Sequence, residues 1–203
     1  MASLRLFIAI NLPVEVREAL EKVQQTLKAI TFPIKWVEPK NMHLTLDFLG
    51  EVEEQRITLI KESLQQTAGN FVPFNLCLER VGAFPNLRNP RIIWVGLGGD
   101  TAKVYGLQAQ IHRALLEQGF VLDNKPFNPH LTLGRVKQSG SRFRPGLENQ
   151  KNSDLERLAG NVHIFESDAF EIKGVELMQS VLTSKGPIYS ELESISFASK
   201  ISY

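Results

Sequence analysis

Two histidines in this chain each carry a threonine two residues downstream, and both pairs stand between leucines: His43-Leu44-Thr45-Leu46 and His130-Leu131-Thr132-Leu133. An imidazole titrates near pH 6.5, so around neutrality one such ring can take up a proton while another gives one away. A threonine hydroxyl can donate to a phosphoryl oxygen, and an arginine close by can neutralise the charge that builds there. Two imidazoles, two hydroxyls and a guanidinium therefore suit displacement at phosphorus, a reaction that needs little beyond positioning and electrostatics.

Chance is a poor explanation of the pairing. With four histidines and eight threonines in 203 residues, two His-x-Thr pairs arise on random placement with a probability of about 1%, before the flanking leucines are required. The plain alternative is a pair of satisfied strand histidines without chemistry. Metal ligation is the other rival, and it lacks a partner histidine four residues on or a Cys-x-x-Cys pair. Asp47, which follows the first motif, is answered by Gly134 in the second. No metal and no cofactor is expected. His112 and His163 have no threonine two residues on and are expected to be structural or surface residues.

The elements that carry the motifs repeat as well. Residues 4–12, rich in β-branched and aromatic side chains, read as a strand buried on both faces. Pro13 fits the first turn of a helix whose apolar stripe is Val16, Leu20, Val23, Leu27 and Ile30. Thr31 to Pro33 break it and lead toward His43. From Arg91 the same order returns: a strand to Gly99, a cap at Asp100 or Thr101, and a helix to Gln118. That helix carries Val104, Leu107, Ile111 and Ala114 or Leu115, and Gly119 closes it. The two histidines lie 87 residues apart, as do Leu4 and Arg91, so strand, helix, approach and motif recur in one register. This predicts a single two-lobed domain over residues 1–203 with an internal repeat, its motif copies at 43–46 and 130–133.

On a strand, Leu44 and Leu46 share one face while His43 and Thr45 share the other. The leucines dock the strand, and the polar pairs of the two lobes are expected to meet across a groove. A helix around Ile57, Ile60 and Leu64, a strand over 74–84, a short helix over 153–161 and two C-terminal strands complete the reading. The stretch from Gly134 to Asn152, with Arg135, Lys137, Arg142 and Arg144, reads as a solvated loop, Arg135 excepted. Trp36, Phe48, Phe84 and Phe127 are candidates for stacking a base, with core packing the more frequent fate, and Arg88 and Arg91 for touching the RNA backbone, with a plain surface role favoured.

The bounds agree with a soluble globular protein. There are 23 Lys+Arg against 22 Asp+Glu, so no global field draws a long polyanion over the surface. The single cysteine, Cys77, excludes an internal disulfide and reads as a buried strand residue. Arg5 and Pro13 cut the N-terminal apolar run short of a membrane span, so the cytoplasm and no membrane partner are expected.

The paired HLTL motifs resemble the two HxTx signatures of the 2H phosphoesterase superfamily. More narrowly, the chain resembles RNA 2',3'-cyclic phosphodiesterases, historically called 2'-5' RNA ligases, through "LRLFIAINLP", "NMHLTLDFLGE", "FPNLRNPRIIWVG", "NPHLTLGRV" and "SVLTSKGPIYSEL". The resemblance implies an α+β fold of two lobes, each an antiparallel-type sheet with outer helices, flanking a central cleft. It implies metal-independent hydrolysis of an RNA 3' end bearing a 2',3'-cyclic phosphate to a 2'-phosphate. His43 would then be the proton donor and His130 the proton acceptor, with Thr45, Thr132 and Arg135 on the phosphate. Reverse 2'-5' ligation without ATP follows by microscopic reversibility, and Gly96–Asp100 lacks the lysine of a Walker loop. A monomer is expected. The residues alone leave open which imidazole is acid and which is base. They also leave open a related phosphodiesterase acting on 2'-5' oligoadenylates or small cyclic nucleotides, and a noncatalytic RNA- or nucleotide-binding module.

Overall fold

Strand β1 (Ser3–Asn11) is buried from Leu6 through Ile10 because strands flank it on both edges and side chains cover both of its faces. The computed structural model describes residues 2–29, 33–137, 169–184 and 186–199, with Leu155, Arg157, Ala159 and Gly160. Helix α1 (Val14–Leu27) follows with Pro13 at its cap, and Val16, Leu20, Val23 and Leu27 are its buried apolar stripe. Ile30 lies outside the described residues. After β2 (Ile34–Trp36), a single turn at Pro39–Asn41 delivers the chain to β3 (His43–Glu53).

Helix α2 (Ile57–Ala68) and strand β4 (Phe74–Phe84) lead into the second half. There β5 (Ile92–Gly99), α3 (Thr101–Glu117) and β6 (His130–Val136) repeat the order of β1, α1 and β3. Leu115, not Ala114, completes the buried stripe of α3, and Gly119 closes the helix at positive φ. Asp100 stands at the cap without a capping side-chain bond; its carboxylate instead takes the Asn75 N–H and the Lys103 ammonium. The C-terminal "FEIKGVELMQSVL" divides at Lys173 into β7 (Phe170–Ile172) and β8 (Gly174–Thr183), and β9 (Gly186–Ser196) pairs back on β8. Leu155, Arg157, Ala159 and Gly160 are helical, as the short helix there requires.

The fold is α+β, and every described strand pair is antiparallel. The halves do not form two separate sheets. One nine-stranded sheet runs in the order β7, β4, β5, β6, β3, β1, β8, β9, with β2 paired to β6. The halves join where β3 meets β6, through the single pair Leu44↔Leu131. Beyond it the two strands part and β2 fills the opening, Lys35 facing Arg135 and Trp36 facing Gly134. A Cβ at Gly134 would lie 2.5 Å from the Ile34 side chain, so the residue answering Asp47 has to be small. The sheet also curls: the Lys35 ammonium on β2 comes to 3.5 Å from where a Cβ on Gly186 of β9 would stand, although β6, β3, β1 and β8 separate those strands in the order.

Two sequence expectations change. Gly134, Arg135 and Val136 belong to β6, so the polar loop begins later, and Lys137 is an exposed residue just past the strand. Arg142 and Arg144 lie outside the described residues. Cys77 is half-buried, not buried, and stands across from Gly98 on β5, which has no side chain to cover it.

Leu44 and Leu131 are both almost wholly inaccessible. Leu131→Ala should therefore cost about 2–5 kcal/mol of stability, the range for emptying a buried leucine site. Val121→Ala, at a position 91% exposed, should stay within about 0.5 kcal/mol. Denaturant melts of both variants check this; equal midpoints would remove the seam from the list of stabilising features.

Candidate active site

His43, Thr45, His130 and Thr132 are each half-buried while Leu44, Leu46, Leu131 and Leu133 are buried, so the polar pairs emerge on the side of the sheet opposite the core. Continuing the Leu44↔Leu131 register by one residue in each direction sets His43 beside Thr132 and Thr45 beside His130. Each hydroxyl thus neighbours the imidazole of the other copy. The two imidazoles are then diagonal neighbours across the seam. The polar pairs accordingly meet side by side on one curled face.

Both motifs carry the same irregularity. On β3, Leu46 is an extra residue between the pairs Ala9↔Thr45 and Ile8↔Asp47. On β6, Leu133 is extra between Trp94↔Thr132 and Ile93↔Gly134. A bulge directly after each His-x-Thr bends the strand and re-aims the residues beside it. Side chains of the opposite half hold both sites. Gln24 of α1 donates to the Leu133 and Val37 carbonyl oxygens, each at 2.8 Å. On the other side Asp47 accepts from His112 of α3 at 2.8 Å and from Gln108 at 3.3 Å. His112 is therefore structural, tying the second half's helix to the first half's motif strand. His163 lies outside the described residues.

The two imidazoles are oriented alike. His43 Nδ1 donates to the Asn41 carbonyl oxygen at 2.9 Å, and His130 Nδ1 to that of Asn128 at 2.7 Å. A carbonyl only accepts, so Nδ1 carries the hydrogen and Nε2 is left to exchange a proton. Burial strips hydration from the charged form and is the largest influence on both rings, ahead of the carbonyl bonds that oppose it. It pulls His43 down to about 4, and His130 is lowered as well. The Arg135 guanidinium pushes both in the same direction.

Aromatic rings enclose each histidine. Phe7 lies 4.9 Å and Tyr189 5.2 Å from the His43 ring, the latter edge-on. Phe84 lies 5.0 Å and Trp94 6.5 Å from His130. Of the four aromatic candidates, only Phe84 reaches a motif histidine. Trp36 and Phe127 pack against the core, and Phe48 is exposed beside Phe7. Phe7, Trp94 and Tyr189 escaped the sequence reading; for Phe7 and Trp94 the signal available was their place on β1 and β5, the strands that flank the motifs, whereas β9 pairs with β8. Arg91 gives its N–H to the Phe84 carbonyl oxygen and its carbonyl to Val136, which fixes the end of β5 beside Arg135. Arg88 lies in the turn held by the Asn86 side chain. Next to His43 on β1, Asn11 gives its backbone N–H to Glu176 at 2.8 Å. Burial foremost, and then the neighbouring Glu191, hold that Glu176 carboxyl up to about 7.

Among the described residues no group of three or more His, Cys, Asp or Glu is arranged to hold a metal ion. No described helix is long and apolar enough to cross a membrane.

The chain is similar to known proteins over most of its length and theirs. The chain is 36% identical over 192 residues to an RNA 2',3'-cyclic phosphodiesterase of Archaeoglobus fulgidus, covering 93% of this chain and 98% of that one. Against the protein of the same name from Aeropyrum pernix it is 35% identical, covering 89% and 96%. The solved structure of TT0787 from Thermus thermophilus superposes with a TM-score of 0.77 at 29% identity, covering 97% of this chain and 99% of that one. The family model described as LigT like Phosphoesterase matches residues 10–94 and 100–189, which take in both motifs, and the chain belongs to that family.

Proposed function

We propose that this protein hydrolyses the 2',3'-cyclic phosphate at an RNA 3' end to a 2'-phosphate, with the two motif histidines as acid and base and no metal. The observation that supports this reading most directly is the Leu44↔Leu131 register, which puts both His-x-Thr pairs on one face at the seam between the halves. The names of the relatives give the substrate class.

In the reaction, His130 Nε2 takes a proton from water as the water oxygen bonds to phosphorus. The bond from phosphorus to O3' breaks in line with that attack, and the proton on His43 Nε2 passes to O3'. The phosphate stays on O2'. Thr45 and Thr132 donate to the non-bridging oxygens, and Arg135 offsets the charge that grows on them. The surroundings of the rings support this division of labour. The hydrogen bond of His130 lies at the surface, where water arrives, whereas His43 sits between Phe7 and Tyr189. If the 5'-hydroxyl of a second RNA replaces water, the same transfers form a 2'-5' bond without ATP: His130 takes the hydroxyl proton and His43 gives one to O3'.

His43→Ala and His130→Ala should each lower kcat on a short RNA ending in 2',3'-cyclic phosphate by about 10²–10⁴-fold, the usual contribution of a general acid or base. The assay contains EDTA, and the product is identified as 2'- or 3'-phosphate. Unchanged turnover in both variants sinks the proposal, and a 3'-phosphate product overturns the assignment of the leaving oxygen.

Burial keeps both rings neutral in the empty site, so the acid's proton has to be taken up with the substrate. A bound phosphodiester anion favours imidazolium and raises both values. The profile of kcat/KM reports the free enzyme and that of kcat the complex. The high-pH limb of kcat should therefore lie at higher pH than that of kcat/KM, where His43 titrates from about 4. Coincident limbs would show that the substrate charge does not act on the histidines.

A further inference from the structure

We propose that Tyr189 is a ligand of the reacting phosphate: its hydroxyl donates to a non-bridging oxygen while its ring edge holds His43 in place. This rests on the reading above that the curled face binds a phosphodiester. Tyr189 belongs to β9, at the far end of the strand order and outside the internal repeat. Its ring lies edge-on both to His43, at 5.2 Å, and to Phe7, at 5.1 Å, so the side chain projects onto the same face as the motifs.

Three groups feel the Arg135 charge alike, namely the His43 ring, the His130 ring and the Tyr189 hydroxyl, and Arg5 also acts on the last. The hydroxyl thus shares the space around Arg135 with both imidazoles. The curl of the sheet accounts for this, since the Lys35 ammonium, beside Arg135, reaches the Gly186 end of β9. Among the described residues no group hydrogen-bonds the Tyr189 hydroxyl. A phenol keeps its proton at neutral pH and is a donor ready for an anion.

Symmetry gives the residue its importance. The repeat supplies each half with one histidine, one threonine and one carbonyl tether, and so cannot by itself distinguish the two imidazoles. Around His130 the rings are Phe84 and Trp94, and neither carries a hydroxyl. The β8–β9 hairpin adds its phenol on the His43 side alone. A third hydroxyl there biases the phosphate toward the two motif threonines and Arg135 in one orientation, with the leaving oxygen at the enclosed imidazole.

Tyr189→Phe keeps the ring and removes only the donor. We expect kcat/KM on a cyclic-phosphate RNA end to fall about 10–100-fold, as for loss of a hydrogen bond to a charged group. Binding of inorganic phosphate, followed through the imidazole C–H resonances of His43 and His130, should weaken to a similar degree while the melting temperature holds. Tyr189→Leu should in addition raise the pH at which His43 titrates, because the covering ring is gone; Tyr189→Phe should leave it unchanged. Wild-type kcat/KM and wild-type phosphate affinity in Tyr189→Phe overturn the proposal, as does a wild-type protein whose histidine resonances ignore phosphate. If phosphate binds and Tyr189→Phe weakens it while the wild type leaves the cyclic-phosphate RNA uncut, the role of Tyr189 stands and the proposed reaction falls.

Discussion

Everything distinctive about this face follows from one ladder pair, Leu44 opposite Leu131. Their side chains point into the core, and the alternation of a strand then obliges the residues on either side of each to point the other way. Because the strands are antiparallel, residue 43 meets 132 and residue 45 meets 130. A shift of one residue would bury the polar set on one strand, so the apolar core defends the register of the site. Among the described residues the pair is also the only rung between β3 and β6. A longer ladder would leave no room for β2, and without β2 neither Lys35 nor Trp36 would stand beside the end of β6 that carries Arg135.

A join of one rung needs reinforcement, and it comes from below the sheet. Gln24 and His112 reach from the helix of one half to the motif strand of the other, each meeting it at the bulge or one residue past it. The two contacts differ chemically: an amide donating to the Leu133 carbonyl oxygen on one side, a carboxylate accepting from an imidazole on the other. They are alike in satisfying a buried polar group that would otherwise cost about 1–3 kcal/mol. Two halves that trade helices in this way cannot drift apart without exposing those groups. The bulges at Leu46 and Leu133 are therefore held from both sides, by the ladder above and the helix below.

Much of this was legible in the chain. Alternating HLTL determines which side chains share a face, and the helices begin 87 residues apart, at Val14 and Thr101, as the repeat requires. The strands are subtler. Ala9 faces Thr45 and Trp94 faces Thr132, an offset of 85 on the first strands against 87 on the motifs, and only the ladder reveals the two-residue difference. The union of both halves in one sheet was hidden because edge pairing is carried by backbone groups that every residue possesses. Tyr189 was hidden for another reason. Its neighbour His43 lies far away in the sequence, and no periodicity links a C-terminal hairpin to a motif it reaches only because the sheet curls.

The same geometry explains how a duplicated site can act asymmetrically. Two imidazoles with the same tether are both held neutral by the loss of water around them, His43 being the more enclosed and the more strongly lowered. In the proposed reaction the substrate anion makes protonation of one ring favourable but disfavours protonation of both, since two imidazolium charges and Arg135 would crowd a single phosphate. One proton is therefore taken up and shared unequally. The inequality has to come from residues outside the repeat, because the repeat treats both rings alike. Near His43 those residues are Tyr189 and, through Asn11, the carboxyls of Glu176 and Glu191 on the same hairpin. In the empty site burial holds His43 down to about 4, so imidazolium at His43 in the proposed reaction depends on the bound anion and on the groups that orient it there.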